Sequence, residues 1–212
     1  MDACPLCGSS QVRFFLVDKK RDYFCCQDCD LRFADALHFL YGEAEKAIYD
    51  CHINDPDDQR YQAFLNRLVA PLSAKLAPQS VGLDYGCGPG PTVSQMLAQA
   101  GHQVALYDPF YYPNKDVLTK QYDFVTCTEV VEHFYQPARD WPKLFALLKP
   151  HGWLAVMTQL ASNDAQFQRW YYKGDPTHVS FYSQTTMNWI AAQFNCHIAF
   201  YDADVMLFQR RE

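Results

Sequence analysis

Val81-Gly82-Leu83-Asp84-Tyr85-Gly86-Cys87-Gly88-Pro89-Gly90 decides how this chain is read. A short apolar run ends in an acid, three glycines follow at alternate positions, and a segment of helical period comes next. The pattern predicts a strand, a tight turn and a helix start. Glycine serves where φ is positive or where a ligand must touch the backbone. Such a turn directs unpaired N–H groups at a polar or anionic ligand placed at the helix N-terminus. The expectation is a crevice for an adenosine-containing cofactor.

Downstream, strands alternate with helices. A helix from Pro91 buries Val93, Met96, Leu97 and Ala100 and stops at Gly101. A second strand, Gln103 to Tyr107, ends at Asp108, where a carboxylate can accept both hydroxyls of a ribose. Residues 109–121 are irregular and rich in Tyr and Pro. A strand at Tyr122–Cys127 leads into Thr128-Glu129. A helix carrying Trp141, Leu144, Phe145, Leu147 and Leu148 is expected to stop at Pro150, before a strand at Trp153–Met157. Ser183 caps a last helix, and Cys196–Tyr201 with Val205–Gln209 reads as a hairpin. This is a mostly parallel α/β sheet with an antiparallel edge.

Upstream lie two smaller regions, so that the chain divides at 1–35, 36–79 and 80–212. Residues 36–79 read as helical, with Tyr61, Phe64, Leu65, Leu68, Val69, Leu72 and Leu76 at helical spacing and Pro71 expected to kink or split the helix. In 1–35, Cys4-x2-Cys7 and Cys26-x2-Cys29 flank an 18-residue spacer with two predicted strands. Four thiolates in two such knuckles suit tetrahedral zinc with no open position, as in a zinc ribbon. Cys25 is the alternative to Cys26, and the two-residue spacing favours Cys26. Free buried thiols or a redox pair are the competing reading.

Composition narrows the functional classes. The chain has 212 residues, 49% hydrophobic and 16% aromatic, with net charge −6, which argues against a general nucleic-acid binder. No apolar stretch approaches the roughly 18–20 residues that span a bilayer. With no basic-then-apolar leader, the expected location is cytoplasmic, where nine cysteines suggest metal ligands or buried thiols.

The glycines run G-x-G-x-G rather than G-x-G-x-x-G, which departs from a nicotinamide fingerprint. Leu83–Gly90 instead resembles the first motif of class I S-adenosylmethionine-dependent methyltransferases. Tyr122-Asp123-Phe124-Val125-Thr126-Cys127-Thr128-Glu129-Val130-Val131-Glu132-His133 is similar to that family's fourth-strand motif, and Leu147–Leu154 to the segment entering its fifth strand. The resemblance covers about residues 80–212. It implies a Rossmann-like, mostly parallel seven-stranded sheet with a C-terminal antiparallel hairpin, beside the small N-terminal zinc ribbon. It further implies S-adenosylmethionine as cofactor and a small-molecule acceptor.

The resemblance also distributes roles. Asp84 with Gly86, Cys87, Gly88 and Gly90 holds the methionine end, Asp108 holds the ribose, and Glu129 faces cofactor and acceptor. The third strand is shortened to Asn114–Gln121, which leaves Asp116 as a weak candidate for the adenine contact. His133, in Val131-Glu132-His133, reads as a catalytic group or as a backbone-bonded histidine at a helix start. His178, in Asp175-Pro176-Thr177-His178, reads as an acceptor-site group or a loop tie. Trp170, Tyr171 and Tyr172 either wall the acceptor pocket or pack beneath it. Tyr49, His52 and Asn54 read as a lid. Two other functions compete. One is an RNA methyltransferase gripping nucleic acid with Arg13, Lys19, Lys20 and Arg21, although acids interleave with these cations. The other is a non-enzymatic binding module.

Overall fold

The computed structural model describes residues 3–18, 20–51 and 54–211. The N-terminal region supplies β1 (Val12–Val17), β2 (Asp22–Cys26) and β3 (Arg32–Ala34), followed by α1 (Glu43–Tyr49) and α2 (Gln59–Ser73). The rest is β4 (Val81–Tyr85), α3 (Thr92–Gln99), β5 (Gln103–Tyr107), β6 (Tyr122–Thr128), α4 (Pro137–Ala146), β7 (Leu148–Met157), α5 (Asp164–Arg169), β8 (Ser180–Phe181), α6 (Gln184–Gln193), β9 (Cys196–Phe200) and β10 (Val205–Arg210).

The main sheet runs β5-β4-β6-β7-β10-β9. The first four strands are parallel, and β10 is antiparallel to both β7 and β9. Side chains alternate between its faces, as strand geometry requires. Phe124, Ala155, Met157, Val205 and Leu207 meet α2 and α3 through Leu65, Leu68, Leu72, Val93 and Leu97. Val125, Cys127, Leu154, Val156, Met206 and Phe208 meet Trp141, Leu144 and Ile190 of α4 and α6 on the other side. Helices on both faces bury a sheet that could not be solvated on either.

The main sheet has six described strands where seven were expected. The stretch that would supply the missing edge strand beyond β5 instead makes an isolated bridge, Asp108 with Tyr112, and a 3-10 turn at Lys115–Thr119. Tyr-Pro-rich sequence withholds amide donors from a ladder. Two further expectations are corrected. Of the kink or split expected at Pro71, the split does not occur: α2 runs through Pro71 to Ser73, because only two residues of the helix follow it and a single late hydrogen bond is lost. The helix carrying Trp141 ends at Ala146 rather than at Pro150. Leu148 already pairs with Tyr122, and β7 then bulges before Trp153 pairs with Phe124.

The second sheet joins the two ends of the chain. Its order is β1-β2-β3-β8, so a strand from the C-terminal half completes the cysteine-rich sheet. Cys4, Leu6, Leu31 and Phe33 belong to the same core as Trp141, Tyr182 and Phe208. Arg13 and Arg32 both reach Asp164 at the start of α5, at 2.8 and 3.0 Å. None of the described helices is long and apolar enough to cross a membrane.

Candidate functional site

A cavity of ≈ 720 Å³ opens at the carboxyl ends of β4, β5 and β6, where open α/β sheets place ligands. Asp84, Gly86, Cys87, Gly88, Gly90, Asp108, Glu129, His133, His178, Tyr49 and Asn54 all line it. The turn after β4 is tied to the end of β5 by the Gly86 amide, 2.8 Å from the Tyr107 carbonyl. Gly86 has φ +75°, and a side chain there would collide with Val130. Asp108 is buried, and its carboxylate organises the backbone around it. It accepts from the amides of Gly88 (3.1 Å), Phe110 (2.8 Å) and Tyr111 (3.0 Å), which fixes the glycine turn against the loop after β5. Asp84 is also buried and accepts from the Thr126 hydroxyl at 2.7 Å. Burial outweighs that bond and pushes its carboxyl up to about 6. Burial likewise pushes the Cys87 thiol up, so it stays protonated.

Asp116 is exposed in the 3-10 turn and does not line the cavity. Pro109, Phe110 and Tyr111 stand in its place beside Asp108. The aromatic bias of residues 109–121 was the available signal for them.

The segment before α2 closes over this cavity. The Tyr111 hydroxyl donates to Asp50 at 2.6 Å, and the Tyr49 ring sits 5.8 Å from Phe110 and 5.2 Å from His133. Tyr49 donates to Glu45 at 2.8 Å. Asn54 lies on the glycine turn so closely that a Cβ at Gly90 would stand 2.1 Å from its carbonyl oxygen. Gly90 is therefore needed for contact with this segment. His52, the third lid candidate, lies outside the described residues.

At the far end, Glu129 follows β6 with φ +53°, a left-handed conformation uncommon for a non-glycine residue and frequent at functional sites. Behind it Glu132 is completely buried. The Tyr172 hydroxyl donates to Glu132 at 2.5 Å and lies 3.1 Å from Glu129. Burial pushes both carboxyls up, and the neighbouring Glu132 charge raises Glu129 further. Tyr172 thus packs beneath the cavity, against Glu129 and against the His178 ring, whose centroid is 4.2 Å from its own. Tyr171 is 75% exposed, bonds Gln159, and does not line the cavity.

His133 and His178 stand side by side, ring centroids 4.8 Å apart. His133 Nδ1 is 3.1 Å from the Thr177 carbonyl, and His178 Nδ1 is 2.8 Å from the Tyr172 carbonyl. Both backbone ties foreseen as alternatives are therefore present, and both rings also border the cavity. Asp175 lies 3.9 Å from His178. Burial opposes its ionisation, but the Thr177 hydroxyl and amide and the His178 ring hold its carboxyl below the usual range.

Arg21 braces this loop, a role that sequence reasoning missed. It is buried, and its five N–H groups find five acceptors. These are the Tyr23 hydroxyl (3.1 Å) and the carbonyls of Pro176 (3.2 Å), His178 (2.8 Å), Asp175 (2.9 Å) and Lys173. Lys173 in turn reaches Asp18 at 2.6 Å. Two members of the basic face suggested for nucleic acid are thus engaged within the chain: Arg21 is buried here, and Arg13 pairs with Asp164 at the surface.

The cysteine knuckles converge. Cys4 and Cys29 sulfurs are 3.6 Å apart, Cys7 and Cys26 are 3.5 Å apart, and all four lie within 4.8 Å of one another. Ligands about 2.3 Å from a tetrahedral zinc stand about 3.8 Å apart, so the set fits that ion. Cys25 points elsewhere, towards Asp30.

A family model described as a methyltransferase domain matches residues 58–199. No curated protein matches the sequence. The fold is similar to that of 1,6-didemethyltoxoflavin-N1-methyltransferase from Burkholderia thailandensis, solved with its 1,6-didemethyltoxoflavin and S-adenosylhomocysteine. Identity is 15% and TM-score 0.54, over 94% of this chain and 100% of that one. Magnesium protoporphyrin IX methyltransferase from Synechocystis PCC 6803, with S-adenosylhomocysteine bound, is 19% identical with TM-score 0.52, over 78% of this chain and 91% of that one. A methyltransferase in calicheamicin biosynthesis, also in its S-adenosylhomocysteine-bound form, is 11% identical with TM-score 0.53. There the match covers 72% of this chain and 55% of the other, so this chain spans about half of that enzyme.

Proposed function

The chain belongs to the methyltransferase-domain family, and on that premise we propose that it transfers a methyl group from S-adenosylmethionine to a small-molecule acceptor. One observation carries the reading. A single cavity joins the glycine turn and Asp108 at one end to Glu129, His133 and His178 at the other, beneath a closing segment. A sulfonium nucleoside laid along it would set its ribose at Asp108, its methionine end at Asp84 and the Gly86–Gly90 turn, and its methyl towards the histidines.

Transfer from a sulfonium is an in-line displacement, so most of the rate can come from alignment and exclusion of water. Tyr49 and Asn54 contribute by closing the cavity. An acceptor that must lose a proton needs a base. A carbonyl can only accept, so each histidine Nδ1 carries its proton and Nε2 is left as the basic nitrogen. Glu129 faces this end of the cavity, and a sulfonium beside it would favour its ionised form. Zinc on Cys4, Cys7, Cys26 and Cys29 would be structural, locking the sheet that carries Arg21.

The acidic charge, the burial of Arg21 and the pairing of Arg13 with Asp164 favour a small molecule over RNA. The test is transfer of labelled methyl from S-adenosylmethionine to a panel of hydroxylated and amino metabolites and, separately, to RNA. Label on a small molecule that is lost in His178→Ala supports the reading. Label entering RNA alone would replace it.

A further inference from the structure

Glu132 has no solvent exposure, and the methyl-transfer reading gives it no work. One of its oxygens takes the Tyr172 hydroxyl, while the other, Oε2, is buried without a hydrogen-bond partner. An unpaired carboxylate oxygen in a dry interior is expensive and calls for a counter-charge or a proton. Beside it stand His133 and His178. One ligating atom from each of the three residues lies within 4.8 Å of the others. Nitrogen and oxygen ligands about 2.1 Å from a tetrahedral ion stand about 3.4 Å apart, so a modest contraction would close the set.

The surroundings fit a metal site. Each imidazole donates Nδ1–H to a main-chain carbonyl, which fixes its tautomer and leaves Nε2 as a ligand nitrogen. Metal-bound histidines are typically anchored in this way, and ligating carboxylates are typically hydrogen-bonded as Glu132 is by Tyr172. Asp175 adds negative charge nearby, and Glu129 adds a second buried carboxyl with an unpartnered Oε1. Two imidazoles and one carboxylate suit a divalent transition ion such as Zn²⁺, Fe²⁺ or Mn²⁺ better than Mg²⁺ or Ca²⁺.

We infer that Glu132, His133 and His178 bind a divalent transition-metal ion, separate from the cysteine cluster, at the acceptor end of the cavity. With three protein ligands the ion keeps a position for the acceptor's own donor atom, in place of a proton transfer to imidazole. That placement beside the acceptor rests on the methyl-transfer reading, whereas the binding itself does not.

The experiment is metal stoichiometry on the full chain. Metal-stripped protein is titrated with Zn²⁺ alone, and S-adenosylhomocysteine affinity is measured in parallel. The wild type takes two equivalents. His178→Ala and Glu132→Gln each weaken the second equivalent at least about tenfold, keep the first, and keep nucleoside affinity within about twofold. Cys29→Ser loses the tight equivalent instead. A wild type that stops at one equivalent overturns the inference and leaves a proton on Glu132 as the counter-charge, and so does a second equivalent unchanged in both variants. If Glu132→Gln does not fold, His178→Ala decides alone. Two equivalents with no nucleoside binding would uphold the site and sink the methyl-transfer reading.

Discussion

Arg21→Ala should uncouple the loop that carries His178 from the rest of the molecule. The guanidinium donates to four main-chain carbonyls between Lys173 and His178 and to the Tyr23 hydroxyl, all in a buried setting. A hydrogen bond from a charged donor is worth about 1.5–3 kcal/mol net, and orphaned carbonyls add a desolvation cost. Four such bonds do not add in full, because water can enter the space a guanidinium leaves. A loss of about 3–5 kcal/mol follows, which for a chain of this size lowers Tm by about 6–20 °C. Arg21→Lys keeps the charge but has three donors instead of five, and should fall between. Nothing in the glycine turn or around Asp108 touches Arg21, so nucleoside affinity should stay within about twofold while turnover collapses. Thermal unfolding, calorimetric titration with S-adenosylhomocysteine and labelled-methyl transfer read these three quantities, and amide exchange over residues 173–181 reads the order of the loop. A Tm within about 2 °C of wild type, with unchanged exchange in that loop, would refute the reasoning.

Three other outcomes are expected. Gly90→Ala places a methyl against the Asn54 carbonyl, so it should lift the closing segment and weaken cofactor binding by tenfold or more with little change in Tm. Equal affinity for wild type and variant would show that the segment does not bear on the site. Asp84 is held near 6 by burial, with the Thr126 hydroxyl, the Ser94 amide and Asp108 around it. Folding therefore favours its protonated form, so this group's contribution to stability falls as pH rises from about 4 to 6. A bound sulfonium lowers that pKa again. Binding should then release protons near pH 6 and tighten towards pH 7, which titration in buffers of different ionisation enthalpy measures; Asp84→Asn should abolish the release. Finally, Cys26→Ser should lose the tightly bound equivalent of zinc and lower Tm while Cys25→Ser keeps that zinc and the wild-type Tm, and tight zinc retained equally by the two variants would contradict the ligand set.

The features legible in the sequence were those fixed by spacing along the chain. Gly86, Gly88 and Gly90 announce a turn because only local backbone conformation is involved, and Asp108 follows from the strand before it. The two cysteine knuckles are legible because tetrahedral ligation needs that short spacing, and Cys25 was separable from Cys26 on spacing alone. Arg21 was not legible, because its partners are main-chain carbonyls some 150 residues away and carbonyls carry no sequence signal. Tyr171 and Tyr172 face opposite ways from adjacent positions, and only the packing of the 3-10 turn at Tyr171–Gly174 decides which one reaches the carboxylates. The early start of β7 was hidden by Pro150, which sits in the bulge rather than in the ladder. The burial of Glu132 was not legible, because it depends on packing from Tyr172, 40 residues further on.

Equilibrium binding of S-adenosylmethionine to the zinc-loaded chain, compared with Asp108→Ala, addresses the central claim most directly. One equivalent should bind within about the 1 μM–1 mM range usual for enzyme substrates, and the alanine variant should lose at least about tenfold as the ribose and the Gly88, Phe110 and Tyr111 amides lose their common carboxylate. A folded wild type that takes up no nucleoside at millimolar concentration, or a variant that binds as well as wild type, would contradict it.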